Sequence, residues 1–225
     1  MLLFTIHCSL FTISCTQDAY DKGEGKYSRL TGDFVEAYTN GQKQIERVIT
    51  DDGSILTLSD AVAPKWAKVP DSLYRCILYY NKVKIEYGEE TVDLVSISQV
   101  PCPKITPLRK LDKAMKTDPV KFESAWVSKS GKYLNLSLYV LTGTADDDKA
   151  SQTLAIVEDT LMVNPDSKRT SYLRLYHDQG GIPEYYSSSV YTSIPVHDMV
   201  ADSVRISINT YQGEVVKTLK INPNN

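Results

Sequence analysis

Apolar and polar residues alternate through most of the chain, and the alternation is clearest between residues 133 and 141. In that stretch every second position is apolar, namely Leu134, Leu136, Leu138 and Val140. Successive side chains of a β-strand point to opposite faces, so this spacing is typical of a half-buried strand and not of a helix. Similar stretches recur at short intervals with turn residues between them. The sequence therefore predicts an all-β fold.

Three prolines divide the strand-like stretches into two groups. Pro101, Pro103 and Pro107 lie close together, and prolines at this density disfavour a continuous strand. The stretches before them have the size of a small Greek-key barrel, and the larger group after them suits a two-sheet sandwich. Between the groups, residues 107–116 predict a short helix, because their apolar positions are spaced by three and four.

The first residues are typical of an export signal. Residues 1–14 are almost free of charge, but about 21 Å of helix is too short for a bilayer core of about 30 Å. The stretch fits the apolar part of a secretory signal peptide. It ends in Thr12-Ile13-Ser14-Cys15, which resembles a bacterial lipobox and predicts lipidation of Cys15. An ordinary secretory signal with incidental cysteines is the alternative.

The segment that follows the lipobox is polar. Residues 15–31 are poor in large aliphatic side chains, which is typical of a flexible tether. The missing basic segment at the start suggests that the translation start lies upstream. We expect a cell-envelope protein that is held at the outer membrane by an N-terminal lipid anchor.

The charge balance argues against nucleic acid as a partner. The chain has 25 Lys+Arg against 28 Asp+Glu, a net charge of −3, and a sequence pI of about 5.7. A protein that binds a phosphate backbone needs an excess of positive charge on one face. Neither group of strands carries such an excess, so we expect no nucleic-acid partner.

The ionisable residues form no recognisable catalytic or metal-binding motif. His177 and His197 each precede an aspartate, but adjacent residues of a strand point to opposite faces, which favours polar strand ends over a general base or a metal site. Residues 146–148 are three consecutive aspartates without the glycine and glutamate spacing of an EF-hand, which favours a solvated loop over a calcium site. The sequence predicts no catalytic residue, no cofactor and no metal.

Two other groups are candidate functional residues. Cys76 and Cys102 remain after export, and in an oxidising envelope they form either a disulfide or two free thiols, two alternatives that the sequence leaves open. Tyr185, Tyr186 and Tyr191 follow a loop with glycine and proline, where aromatic rings can stack on sugars or contact a protein partner. Edge-strand tyrosines that cover the core are the structural alternative. The three tyrosines are the predicted ligand surface.

Several of these sequences resemble those of a known family. Beside the lipobox and the tether, the resemblance is carried by FESAWVSKSGKYLNLSLYVLTG at 122–143, LRLYH at 173–177, YTSIP at 191–195 and DSVRISINTYQGE at 202–214. They are similar to the NigD-like lipoproteins of Bacteroidales. The resemblance implies a small OB-like β-barrel at residues 32–105 followed by an antiparallel β-sandwich at residues 106–225. It provides no active site to carry over.

The resemblance also implies a role. The family is named after a bacteriocin gene cluster, which implies a bacteriocin-immunity-like or accessory function. We therefore expect a non-enzymatic, lipid-anchored cell-envelope protein that binds an unknown protein or glycan. The alternative is a glycan-binding accessory lipoprotein of a polysaccharide-use system, which would use the three tyrosines.

Overall fold

The computed structural model describes residues 30–86, 89–147 and 149–221, with backbone only for residues 82–86 and 89–90. The predicted signal peptide, Cys15 and most of the tether lie outside the described residues, as does Asp148. Thirteen strands and one short 3-10 helix make up the regular structure of the described part. The predicted all-β fold is confirmed.

The first five strands close into a barrel. They are β1 (Thr31–Thr39), β2 (Ile45–Thr50), β3 (Ile55–Val62), β4 (Leu73–Glu86) and β5 (Glu89–Gln99). Their order around the barrel is β1-β2-β3-β5-β4, in which β3 and β5 run parallel and the other neighbours run antiparallel. This is the arrangement of an OB-like barrel. Alternate residues of β1, such as Val35 and Ala37, face its buried interior.

The turn between β2 and β3 is set by its own residues. Gly53 has a φ of +89°, a left-handed conformation that glycine adopts without a steric penalty. The amide of Gly53 donates to the carbonyl of Thr50, and the Asp52 carboxylate accepts the hydroxyl hydrogen of Thr50. The tight turn brings the neighbouring Asp51 to the outer surface of the barrel, where it meets β4.

The remaining eight strands form two facing sheets. They are β6 (Ile105–Pro107), β7 (Lys121–Val127), β8 (Tyr133–Thr142), β9 (Thr153–Val163), β10 (Arg169–Asp178), β11 (Tyr186–Pro195), β12 (Ser203–Thr210) and β13 (Gly213–Lys220). One sheet has the order β13-β12-β10-β9-β6, and the other has the order β11-β8-β7. Their inner faces share one apolar core, which includes Leu136, Leu138, Leu173 and Ile206. The sandwich therefore pairs a sheet of five strands with a sheet of three.

The helix predicted at residues 107–116 is wrong. The structure has a single 3-10 turn at Leu108–Lys110, followed by a bend at residues 112–113 and by non-helical residues up to β7. The main reason is pairing with β10, because the amide of His177 donates to Lys116 and the amide of Asp118 donates to the carbonyl of His177. A ten-residue helix has little stability of its own, so these extended hydrogen bonds prevail.

The outer face of the three-stranded sheet lies against the barrel. Tyr133, Asn135 and Ser193 point away from the apolar core of the sandwich, yet all three are buried. Their hydrogen bonds and ring contacts extend to side chains of β1 and β4. Because polar groups are buried at this contact, their partners largely fix how the barrel meets the sandwich.

Candidate functional site

Arg75 is the central side chain where the barrel meets the sandwich. Its guanidinium donates to both carboxylate oxygens of Asp51, with N–O distances of 2.6 and 2.7 Å. The side chain of Arg75 is only 1% exposed, so the ion pair lies largely out of water. The same guanidinium carbon lies 4.3 Å from the centre of the Tyr133 ring and 5.2 Å from that of Phe34. The ion pair with Asp51 lies within the barrel, whereas the contact of Arg75 with the Tyr133 ring joins the barrel to the sandwich.

A polar chain continues from Arg75 into the sandwich. The Nε of Arg75 donates to the hydroxyl of Ser193 over 3.3 Å, and this hydroxyl donates to Oδ1 of Asn135 over 2.6 Å. Asn135 is fully buried, and its Nδ2 has no hydrogen-bond partner among the described residues. The three side chains come from β4, β8 and β11, so the chain connects both units through their strands.

A second polar contact fixes the other side of the junction. Glu36 of β1 is buried, and its carboxylate accepts the hydroxyl hydrogen of Tyr133 over 2.9 Å. The ammonium of Lys132 donates to the other oxygen over 2.8 Å. Burial raises the pKa of Tyr133 well above its ordinary value, and the Glu36 carboxylate raises this pKa further. The hydrogen bond is therefore made by the neutral phenol.

Next to the Arg75–Asp51 pair, a cleft lies between the barrel and β7. Its volume is about 230 Å³, and its lining includes Asp33, Phe34, Asp52, Trp126 and Lys129. The ring of Phe34 meets that of Trp126 edge to face, with centroids 5.6 Å apart. Both rings are half-buried, so their remaining surface is open to the cleft. We call this space the junction cleft.

The carboxylates of the junction cleft differ in their partners. Asp33 accepts the hydroxyl hydrogen of Tyr80 over 2.8 Å. Hydrogen bonds from Thr50 and Ser54 lower the pKa of Asp52 to about 2, and Lys129 lies 4.0 Å away from it. No Lys or Arg side chain of the described chain forms an ion pair with Asp33. The cleft therefore combines aromatic edges with a carboxylate that pairs with no cation of the described residues.

The three predicted tyrosines do not form one surface. Tyr185 and Tyr186 are 77% and 58% exposed at the start of β11. Tyr191 is half-buried, and its ring packs edge to face on Phe34 at the junction, with centroids 5.6 Å apart. At about 3.4 Å per residue, Tyr186 and Tyr191 are separated by about 17 Å along the strand, and they point to opposite faces of it. Only Tyr185 and Tyr186 form an exposed pair.

The cysteines of the described chain are free thiols. Cys76 is fully buried in the barrel, and burial raises its pKa to about 12. Cys102 is exposed and lies in the segment that leads from the barrel to β6, and desolvation of its thiol raises its pKa to about 11. Neither thiol has the lowered pKa of a reactive cysteine. Whether the two form a disulfide in an oxidising compartment remains a prediction.

The two histidines that precede aspartates have different surroundings. His177 is fully buried, with Nδ1 2.8 Å from the carbonyl oxygen of Asp118 and Nε2 3.0 Å from the amide nitrogen of Gln152. His197 is half-exposed and lies 3.1 Å from the carboxylate of Asp198. The contacts of His177 fasten two loops to the sandwich, which is a structural role.

Among residues 30–86, 89–147 and 149–221, no three His, Cys, Asp or Glu side chains converge so that they could hold a metal ion. No helix in the same ranges has the length and hydropathy of a membrane span.

Sequence reasoning missed the residues of the junction. Arg75 lies in the strongly apolar stretch of β4, between Tyr74 and Cys76. A single charged residue in such an apolar strand indicates a buried ion pair, because a buried charge requires a partner. The partner itself could not be identified, because Asp51 and Ser193 are far away along the chain.

The chain matches the family model of the NigD-like C-terminal beta sandwich domain over residues 104–222. No curated protein is similar to it in sequence. Among solved structures, a NigD-like immunity protein from Bacteroides caccae is 23% identical with a TM-score of 0.63, covering 83% of this chain and 91% of that one.

Two further structures share the fold. A protein of unknown function, DUF1344, from Bacteroides vulgatus has 16% identity and a TM-score of 0.62, and the match covers 84% of this chain and 90% of that one. A predicted lipoprotein from Bacteroides fragilis has 11% identity and a TM-score of 0.58, with 85% and 96% covered. These likenesses concern the fold, whereas the family model matches more than half of the sequence. The chain therefore belongs to the NigD-like family, with the family's C-terminal β-sandwich domain at residues 104–222.

Proposed function

We propose that this protein is a lipid-anchored binding protein of the cell envelope that recognises a partner protein in an immunity-like role. The observation that supports this most is the junction cleft, an open space between two β units that hydrogen bonds, the Lys132–Glu36 ion pair and ring contacts hold together. A cleft between two fixed units is a common place for a specific binding site.

The chemistry of the cleft suits a basic side chain. Phe34 and Trp126 present aromatic edges and faces, and Asp33 adds a carboxylate without a cationic partner in the described chain. An arginine or lysine can lie on an aromatic ring and pair with a carboxylate at the same time. Arg75 already makes this combination of contacts beside the cleft, with Phe34 and Asp51. We infer that the partner inserts a basic side chain here.

Two structural relatives agree with this proposal. One relative with the same fold is described as a NigD-like immunity protein, and another as a predicted lipoprotein. An immunity protein acts by binding a toxin and needs no catalytic group of its own. The net charge of −3 favours encounter with a basic partner.

The toxin role is tested by deleting the gene. We expect the deletion strain to become sensitive to a toxin encoded beside the gene, and the wild-type gene to restore resistance. The gene carrying Trp126→Ala should fail to restore resistance, while a Tyr211→Ala gene serves as the control, because Tyr211 is exposed and does not line the cleft. Unchanged sensitivity of the deletion strain would overturn the immunity role.

The lipid anchor is tested separately. Cells that express the protein are labelled with a palmitate analogue, and we expect the label on the wild type and none on a Cys15→Ala variant. The variant should also leave the membrane fraction. If it stays in the membrane fraction, the anchor at Cys15 is wrong.

Glycan binding is the second candidate, and the exposed pair Tyr185 and Tyr186 favours it. Exposed aromatic rings beside a loop can stack on sugar rings. On a carbohydrate array, the wild type would bind a glycan that the double variant Tyr185→Ala/Tyr186→Ala does not bind. Tyr191→Ala would retain binding, because Tyr191 packs on Phe34 away from the pair. An array without any bound glycan would contradict this candidate.

A further inference from the structure

The sandwich has one open side, because a sheet of three strands faces a sheet of five. β11 is an edge strand of the smaller sheet. On the same side of the sandwich, the larger sheet ends with β9 and the edge strand β6. Between these strands lies a groove of about 430 Å³, lined mainly by apolar side chains such as Val140, Leu154, Leu175 and Val190. This volume is within the range of about 300–1,000 Å³ that is usual for binding pockets. We call it the seam groove.

Most of the backbone edge of β11 beside the seam groove is unpaired in the described part of the chain. The N–H and C=O groups of a strand residue point to the same side, and they alternate sides along the strand. The amide of Ser193 points away from β8 and donates to the carbonyl of Pro101 over 3.0 Å. The backbone groups of Ser187, Ser189 and Tyr191 therefore face the same free side. In the described part of the chain, no hydrogen-bond partner meets them there.

This edge lacks the features that usually prevent pairing with another strand. β11 has no register shift along its pairing with β8, and no charged residue lies between Tyr186 and Pro195. Proteins normally protect an edge strand with lysines, prolines, bulges or a covering segment. The proline of β11, Pro195, is at the strand end, near which Pro101 of the segment 101–104 already pairs with the edge.

The contact with Pro101 shows that the edge of β11 can pair with an extended backbone. The carbonyl of Pro101 accepts hydrogen bonds from the amide of Ser193 and from the hydroxyl of Thr192. The extended chain then crosses to β6, which pairs with β9 at Ile156. An incoming strand would continue this pairing along the part of β11 that the segment leaves open.

We propose that the free edge of β11 binds an extended peptide segment of a partner protein by strand addition, with apolar side chains of the peptide inserted into the seam groove. The added strand is the fourth of the smaller sheet and covers the larger sheet as far as β9 and β6. Its side chains alternate, so every second one enters the groove, and those must be apolar and uncharged. The site is separate from the junction cleft and does not depend on it.

A second copy of this chain fits the edge less well than a peptide. The groove beside β11 is lined by Pro101, Cys102 and Pro103 as well as by residues of β9, so a second folded copy needs more room at this edge than one extended chain. A free peptide brings only one extended chain. This difference favours a flexible segment of another protein as the occupant.

The test uses a phage-displayed library of random dodecapeptides, selected on the wild-type protein. Ser189→Pro removes one outward N–H without changing a hydrogen bond to β8, and proline is tolerated at such edge positions. Ser189→Ala is the matched control, because it keeps the N–H. We expect selected peptides with apolar residues at alternate positions, about tenfold weaker binding to Ser189→Pro, and unchanged binding to Ser189→Ala.

Hydrogen exchange of the wild type gives an independent readout if the proline variant fails to fold. The amides of Ser187, Ser189 and Tyr191 should exchange faster than those of Ser188 and Val190, and a bound peptide should slow them. The proposal is overturned if no peptide is selected, or if the selected peptides protect none of these amides. It is also overturned if Ser189→Pro abolishes a dimer of the wild type, which would assign the edge to a second copy.

Discussion

The guanidinium of Arg75 and the carboxylate of Asp51 form a bidentate ion pair inside the junction between barrel and sandwich, with N–O distances of 2.6 and 2.7 Å. The pair joins β4 to the turn between β2 and β3, and Arg75 also donates to Ser193 of the sandwich. The position of the turn between β2 and β3 and the packing of the barrel against the sandwich therefore both depend on the Arg75 side chain.

Removal of Arg75 should destabilise the protein strongly. In Arg75→Ala, Asp51 loses its partner while its side chain stays largely buried, at 17% exposure. A buried charge without a partner costs about 3–5 kcal/mol, and we expect a loss of this size in the free energy of unfolding from urea denaturation. Lys116→Ala is the control, because Lys116 is half-exposed in its ion pair with Asp178 and water screens that pair, so we expect a much smaller loss. Equal losses in the two variants would contradict the central role of Arg75.

The Tyr133 hydroxyl should stabilise the junction in a pH-dependent way. Tyr133→Phe removes the donor to Glu36, and we expect a loss of about 1–3 kcal/mol near neutral pH. The raised pKa of Tyr133 means that the folded phenol stays protonated while the unfolded one ionises above about pH 10. The unfolded state then binds fewer protons, so the stability falls as the pH rises above 10. Urea denaturation at pH 9 and pH 11 should show a steeper loss for the wild type than for the variant.

The strand pattern was predictable because it depends on local spacing. The alternation from Leu134 to Val140 describes a surface with one buried face, and the structure places these residues in the core of the sandwich. The Gly53 turn is equally local, since its residues bond to each other. These features require no knowledge of distant contacts.

The junction between barrel and sandwich was not predictable, because its contacts join residues that are far apart in the sequence. Asn135 alternates with the core positions of β8 and so lies on the opposite face of the strand, yet the barrel buries it. Tyr191 was assigned to a ligand surface, but its ring packs on Phe34 of the barrel. Periodicity shows which residues share a face, but it does not show what covers that face.

The buried histidine should matter more than the exposed one. His177→Ala leaves the carbonyl of Asp118 without its side-chain donor, removes one of three contacts of the Gln152 side-chain amide and opens a cavity, so we expect a loss of about 3 kcal/mol. His197→Ala changes a half-exposed side chain and should stay within about 0.5 kcal/mol of the wild type. Thermal unfolding compares the two. A large effect at His197 alone would show that the structural role of His177 is wrong.

The two cysteines should differ in accessibility to a maleimide reagent. Cys102 is exposed and Cys76 is fully buried, so in the native reduced protein we expect slow labelling of Cys102 and none of Cys76. After unfolding, both should react. To distinguish free thiols from a disulfide, protein exported to an oxidising compartment is unfolded without reductant and then labelled. Two labels indicate free thiols, and no label indicates the disulfide, which would contradict the free state seen in the structure.

Burial of Cys76 should also make the reduced protein less stable in alkali. Its folded pKa is raised to about 12 from an ordinary value of 9.0, so the unfolded thiol ionises first as the pH rises. Between about pH 9 and pH 12 the unfolded state therefore binds fewer protons, and the stability present below pH 9 is progressively lost. Cys76→Ala removes this contribution, and its free energy of unfolding should fall less between pH 8 and pH 11, measured in reductant. Identical slopes for the two proteins would show that the Cys76 thiol is accessible to water.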